Sequence, residues 1–180
     1  MPAATPLRAQ VVADAAQYAP MAAAVGLNFC GVTARHSFRE RVALTATAFT
    51  TMTAVTGALK LAVSERRPDG SDRQSFPSGH AARAFMGAEL VRAEYGWTWG
   101  AAAYATAATV GVLRVTADRH YAHDVIAGAA IGVASARLAY WLLPLERRLL
   151  GWDKSATVSA VPTYEPATAT IGMALTLTFR

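Results

Sequence analysis

Residues 75–85 read SFPSGHAARAF: a Pro-Ser-Gly turn, a histidine, then a helix-like run. Proline and glycine so close together punctuate regular structure. The turn thus offers a hydroxyl, backbone N–H groups and a titratable imidazole where a helix begins. It sits in a chain that is 53% hydrophobic and 16% charged, against roughly 25% charged in ordinary soluble domains. A polar turn between segments suited to lipid needs a reason, and the flanking sequence supplies one.

Working outward, the helix-like run from Ala81 to Tyr95 carries Arg83, Glu89, Arg92 and Glu94. Charges are costly against lipid, so this helix is expected to pack among others with its ionisable groups inward or near an end. Ala15–Ala34, Val42–Leu59 and Trp97–Leu113 carry no charge over 20, 18 and 17 residues, and Val125–Pro144 carries only Arg137. About 20 apolar residues cross a bilayer, so each is a candidate span. Within the last, GAAIG (Gly128–Gly132) is a small-xxx-small pattern that lets two helices approach closely. Tyr95, Trp97 and Trp99 cluster where two helices would turn at an interface, and Trp141 lies near the end of the last span. The predicted fold is all-α: a membrane-embedded bundle of about five core helices over residues 1–154. A soluble bundle of alanine-rich helices is the competing architecture. Residues 155–180 form a separate tail. TIGMALTLTFR (Thr170–Arg180) alternates apolar and small or polar residues, and SATVSAV could pair with it as a β-hairpin.

The chain of 180 residues fits one domain. Its net charge of +5 suits an anionic partner. Zinc-finger spacing, basic runs and stacking-aromatic motifs are lacking, so nucleic acid is not expected. Cys30, the lone cysteine, lies in an apolar run and reads as core filler. Asp14 directly precedes the first apolar run, and no cleavage site of a standard signal peptide follows.

Two further motifs flank the opening stretch. Upstream is KLAVSERRP, with Lys60, Arg67 and Pro68; downstream is RVTADRHYAHD, with Arg114, His120 and Asp124. With Pro77-Ser78-Gly79-His80 between them, the order and spacing resemble the three-part signature of the type 2 phosphatidic acid phosphatase superfamily. That family holds membrane lipid-phosphate phosphatases and the vanadium haloperoxidases. Leu113 stands where the family usually has serine, which removes one hydroxyl near the phosphate but no charge. The resemblance implies hydrolysis of a membrane lipid phosphate or pyrophosphate, without metal or cofactor, in a bacterial inner membrane with the site facing the periplasm or exterior. It also implies six spans, one more than the five helices expected here.

The residue chemistry points the same way. A transferring phosphoryl group spreads charge over three equatorial oxygens. Stabilising it without metal takes several fixed cations, arginine above all, and Lys60, Arg67 and Arg114 come from three places in the chain. His120 and Asp124, four apart, share a helix face, so the carboxylate can fix the tautomer of the imidazole. The free nitrogen of His120 is then aimed as a nucleophile, giving a phosphohistidine. His80 serves as acid to the leaving alkoxide and then as base to water. Ser78 and Gly79, at a turn leading into a helix, are expected to face the anion with a hydroxyl and free N–H groups. His123 falls outside the pattern and reads as interfacial or supporting. His36 reads as solvated in the basic loop ARHSFRER, and Asp72 and Arg73 as part of a polar loop.

A metal site on His80, His120, His123 and Asp124 is the rival chemistry, disfavoured because three cations converging there would repel a metal ion. A non-catalytic protein binding anionic phospholipid headgroups is the second rival, and it leaves the His/Asp pair idle. The motifs should share one face with the N-terminus. The opposite face carries Arg35, Arg39, Arg41, Arg92, Arg147, Arg148 and Lys154, which makes it the cytoplasmic one.

Overall fold

The structure is a computed structural model that describes residues 4–152, 156–165 and 170–179, with side chains over 10–152. The chain forms two compact units, 1–142 and 143–180. The first is all-helical. Helix α1 (Ala4–Ala16) and α2 (Ala19–Gly26) lead through a 3-10 turn (Leu27–Cys30) to α3 (Phe38–Val63), α4 (Gly79–Thr116) and α5 (Ala122–Leu149).

The sequence explains where these helices start and stop. Ser37 and Glu40 form a capping box at the head of α3, satisfying two N–H groups that would otherwise lack partners. Helix α4 is two arms, 79–95 and 97–116, broken at Gly96 with φ 78° and ψ −175°. Only glycine adopts that conformation without cost. The arms fold back on each other, Tyr104 reaching Glu89, as expected of two separate helices there. The span expected over Ala15–Ala34 does not form as one helix. Its α-helical part ends at Gly26, and the 3-10 turn closes on Gly31, with φ 84°. Two glycines five apart permit an exit that a continuous apolar helix would not.

Arm 79–95 is the core of the unit: Ala81, Ala82, Ala84, Met86, Ala88, Leu90 and Val91 are all buried. As expected, its acids turn inward. Glu89, 1% exposed, accepts from Arg92, Tyr104 and Arg137. Glu94 accepts from the Tyr140 hydroxyl and the backbone N–H of His36, and lies 2.8 Å from His36 Nδ1. His36 is therefore not a solvated loop residue but an internal partner of Glu94. Arg41, in the same loop motif, is 2% exposed and donates to the carbonyls of His36 and Val25. Tyr95 also points inward, onto the Ala24 carbonyl, while Trp97 and Trp99 stay exposed. Cys30 is exposed rather than core.

Helices α3 and α5 bury narrow stripes: Arg41, Leu44, Ala48, Met52 and Thr56 on α3, and Asp124, Gly128, Gly132, Ser135, Ala136 and Ala139 on α5. Both are long and apolar enough to cross a membrane, and their most apolar windows are only 22% and 28% buried. The core helices of a soluble bundle would be covered, so this exposure favours lipid around them. The small-xxx-small pattern does what its composition suggests. A Cβ on Gly128 would lie 2.4 Å from the Ser78 carbonyl oxygen, and one on Gly132 would lie 2.2 Å from that of Ala82. Helices α4 and α5 thus meet backbone to backbone.

In the second unit, β1 (Ala156–Glu165) pairs antiparallel with β2 (Thr170–Phe179), Ala156 opposite Phe179 and Glu165 opposite Thr170. This is the pairing expected of the tail; its connection over 166–169, and Lys154, lie outside the described residues.

Gly132→Ala is expected to lower the thermal stability of the purified protein in detergent, because overpacking of this kind costs about 1–3 kcal/mol. Gly57→Ala, where an added Cβ meets nothing within 4 Å, is expected to leave stability unchanged or raise it by about 0.5–1 kcal/mol. Equal melting curves for the two would contradict the close α4–α5 contact.

Candidate active site

Three segments reach the site: the end of α3 with loop 64–78, the first turn of α4, and the end of α4 leading into α5. Loop 64–78 is tied down by its own side chains. Arg67 Nε donates to Asp72 Oδ1 at 2.7 Å and its Nη1 to the Arg119 carbonyl at 3.3 Å. Arg119 in turn donates to Asp69 at 2.7 Å. Asp72 is thus a structural brace rather than a plain loop residue. Lys60 Nζ donates to the Gln74 carbonyl at 2.6 Å, which leaves two of its three protons uncommitted.

Asp124 lies at the centre and is wholly buried. Its Oδ2 accepts from Ser75 Oγ at 2.5 Å and from the Tyr121 N–H at 2.9 Å. Its backbone carbonyl accepts the Ser78 N–H at 3.0 Å. His120 Nδ1 lies 3.5 Å from the same Oδ2, inside ion-pair range but without a hydrogen bond. The pair expected from the sequence is assembled, with Asp124 held chiefly by Ser75. The sequence reading missed Ser75: nothing in SFPSGH distinguishes this serine from a turn residue.

Ser78 caps α4, its Oγ accepting the Ala81 N–H at 3.4 Å. Because its own N–H serves Asp124, the free N–H groups expected at this turn are those of Gly79 and His80, which meet no carbonyl among the described residues. Arg114, 2% exposed, has no hydrogen-bond partner for Nε or Nη1. His80 Nε2 is 2.6 Å from Asp14 Oδ1, which also approaches Arg114 Nη1 at 3.8 Å. His123 Nε2 stands between Glu65 Oε1 and Asp124 Oδ1, 3.1 Å from each. Among the described residues, these three groups are the set whose donor atoms lie within 4.8 Å of one another, and His80 and His120 do not join it.

The electrostatics of the site centre on His120. Burial, reinforced by Arg67, Arg114 and Lys60 and opposed by Asp124, holds its imidazole well below the ordinary 6.5. Cations from the first and third motifs therefore act on one ring. The arrangement sets a neutral imidazole next to uncommitted guanidinium and amide donors, groups suited to an anion.

Known proteins place this geometry in context. The model of the PAP2 superfamily matches residues 39–148. The chain belongs to that superfamily. It is 34% identical over 137 residues to a lipid A 1-phosphatase from Porphyromonas gingivalis, covering 73% of this chain and 31% of that protein. It is 38% identical over 73 residues to the bacitracin transport permease protein BcrC of Bacillus licheniformis, covering 39% and 34% respectively. The chain thus spans about a third of the length of these curated relatives. The crystal structure of Aquifex aeolicus LpxE has the same fold, with a TM-score of 0.62 and 20% identity over 78% of this chain and 88% of that one.

The state of His120 sets a direction with pH. Unfolded chain takes up this proton near 6.5 while the folded chain does not, so His120 withdraws stability as the pH falls below that value. In histidine NMR titrations, His120 is expected to titrate well below the ordinary 6.5. Arg67→Gln is expected to move its titration upward, toward the ordinary value. A downward or absent shift would show that Arg67 does not act on the ring.

Proposed function

We propose that this protein is a membrane lipid-phosphate phosphatase working through a phosphohistidine on His120. The observation that carries the reading is the meeting of Lys60, Arg67 and Arg114 around a neutral, buried imidazole backed by Asp124. Phosphoryl transfer asks mainly for positioning and for charge stabilisation on the equatorial oxygens. The orphaned Nε and Nη1 of Arg114, the free protons of Lys60 and the N–H groups of Gly79 and His80 supply both.

His120 Nε2 attacks phosphorus while His80 gives a proton to the leaving oxygen. Water then attacks the phosphohistidine, losing its proton to His80, and inorganic phosphate leaves. Asp124 stabilises the positive charge that His120 acquires on forming the P–N bond. The three cations replace the Lewis acid that a metallophosphatase would use, so turnover is expected to persist in EDTA.

Lipid A 1-phosphate is the first substrate to test, because the Porphyromonas gingivalis relative is a phosphatase of that lipid. Phosphatidate, phosphatidylglycerol phosphate and undecaprenyl pyrophosphate complete the panel. We place the site on the periplasmic or outer side of a bacterial inner membrane. Arg35 and Arg39, in the loop that leads into α3 and at its first turn, support this by loading the end of α3 away from Lys60. Arg41 and Arg92 weigh less than the sequence suggests, since one is buried and the other serves Glu89.

Phosphate release in detergent with EDTA present is expected for at least one lipid of the panel. His120→Ala is expected to lose at least about a thousandfold in kcat, and Asp124→Asn about a hundredfold or more. Ser75→Ala should lose about tenfold in kcat with little change in KM. Wild-type turnover by His120→Ala would remove the phosphohistidine. Release by no variant and from no lipid would favour a headgroup-binding protein instead.

A further inference from the structure

Among the described residues, Asp14 is the carboxylate at the site that lies outside the three motifs and outside the segments that carry them. It stands on the last turn of α1, 66 residues before His80, and its Oδ1 is 2.6 Å from His80 Nε2. Its position is fixed by a second set of contacts one turn on. Gln17, 4% exposed, donates through Nε2 to the Asp14 carbonyl at 2.8 Å and accepts from Arg83 Nη1 through Oε1. The Arg83 guanidinium lies 5.6 Å from the centre of the Tyr18 ring, and Ala13 is fully buried. The end of α1 is therefore clamped to the first turn of α4, and the clamp delivers a carboxylate to the imidazole.

We infer that Asp14 is the positioning residue for His80, making the imidazole a competent acid for the leaving oxygen. This rests on the phosphatase reading above. An acid must start protonated, and burial, then the Arg114 and Arg83 guanidinium groups, pull His80 down to about 4 without substrate. Asp14 is the carboxylate that opposes this pull, and a bound phosphate dianion that screens Arg114 works in the same direction. By holding Nε2–H it also leaves Nδ1, which has no hydrogen bond among the described residues, to face the leaving group. In the first step the P–O bond breaks as the P–N bond to His120 forms, and the Nδ1 proton passes to the departing alkoxide. In the second step Nδ1 takes a proton from the attacking water, which restores the imidazolium. Asp14 keeps the Nε2 proton throughout. Each catalytic His then has its own Asp: Asp124 behind the nucleophile and Asp14 behind the acid.

Dependence on the leaving group tests this. An alkyl phosphate leaves as a poor alkoxide and needs the acid, whereas an aryl phosphate leaves as a stable phenolate and does not. The full chain in detergent would be assayed on short-chain phosphatidate and on p-nitrophenyl phosphate, as wild type, Asp14→Asn, Asp14→Glu and His80→Ala. For Asp14→Asn, kcat on phosphatidate is expected to fall about 10- to 100-fold, the lower part of what general acid catalysis contributes. On p-nitrophenyl phosphate it should fall less than about threefold, with KM little changed on both. His80→Ala should show the same selectivity, and Asp14→Glu should recover part of the loss. An equal loss on both substrates would mean that Asp14 only supports the fold and would overturn the inference. So would a lower KM with undiminished kcat, which would mark Asp14 as an internal anion competing with substrate. Wild-type failure on both substrates would instead overturn the phosphatase reading itself.

Discussion

A carboxylate with no exposure to water, Asp124, organises the candidate site of this molecule. A buried charge is tolerated only with partners, and those partners come from two segments of the site: Ser75 from the loop after α3, Tyr121 and His120 from the turn before α5. The same residue's carbonyl receives the N–H of Ser78, the cap of α4. Satisfying one acid therefore fixes the relative positions of the Pro-Ser-Gly turn, His120 and the loop that carries Arg67. The site forms because the fold cannot bury Asp124 otherwise.

The other end of the helical unit repeats this logic for structure alone. Glu89 and Glu94 are buried in the central arm of α4, and each is met by side chains from more than one segment. Arg92, Tyr104 and Arg137 converge on the first, His36 and Tyr140 on the second. These contacts lock the helix packing far from the candidate site. They also explain how a segment carrying four ionisable residues can form the core of an otherwise apolar bundle.

Much of the site is legible in the sequence because motif chemistry is local. His120 and Asp124 share a helix face by spacing, the Pro-Ser-Gly turn announces a helix start, and GAAIG announces a close helix contact. The illegible parts depend on residues far apart in the chain. Asp14 meets His80 across 66 positions, His123 meets Glu65 across 58, and His36 meets Glu94 across 58. Each partner looks like an ordinary polar residue in its own neighbourhood. Ala15–Ala34 fails as a span for a different reason. Hydropathy weighs composition, and the helix ends where glycines permit a turn. The family match and the shared fold with a solved structure agree with the motif reading.

The backbone contact at Gly128 and Gly132 has a mechanical consequence. It lies one to two turns from Asp124, about 6–12 Å along α5 at 1.5 Å per residue, and side chains at those two positions contribute no compressible layer. It therefore sets the separation of α4 and α5 beside Asp124. A bilayer that thickens or thins tilts the helices it surrounds, but α5 is also tied to α4 farther along, where Arg137 meets Glu89 and Tyr140 meets Glu94. Held at two levels, the two helices tilt as one body, and Asp124 keeps its distance from the cap of α4.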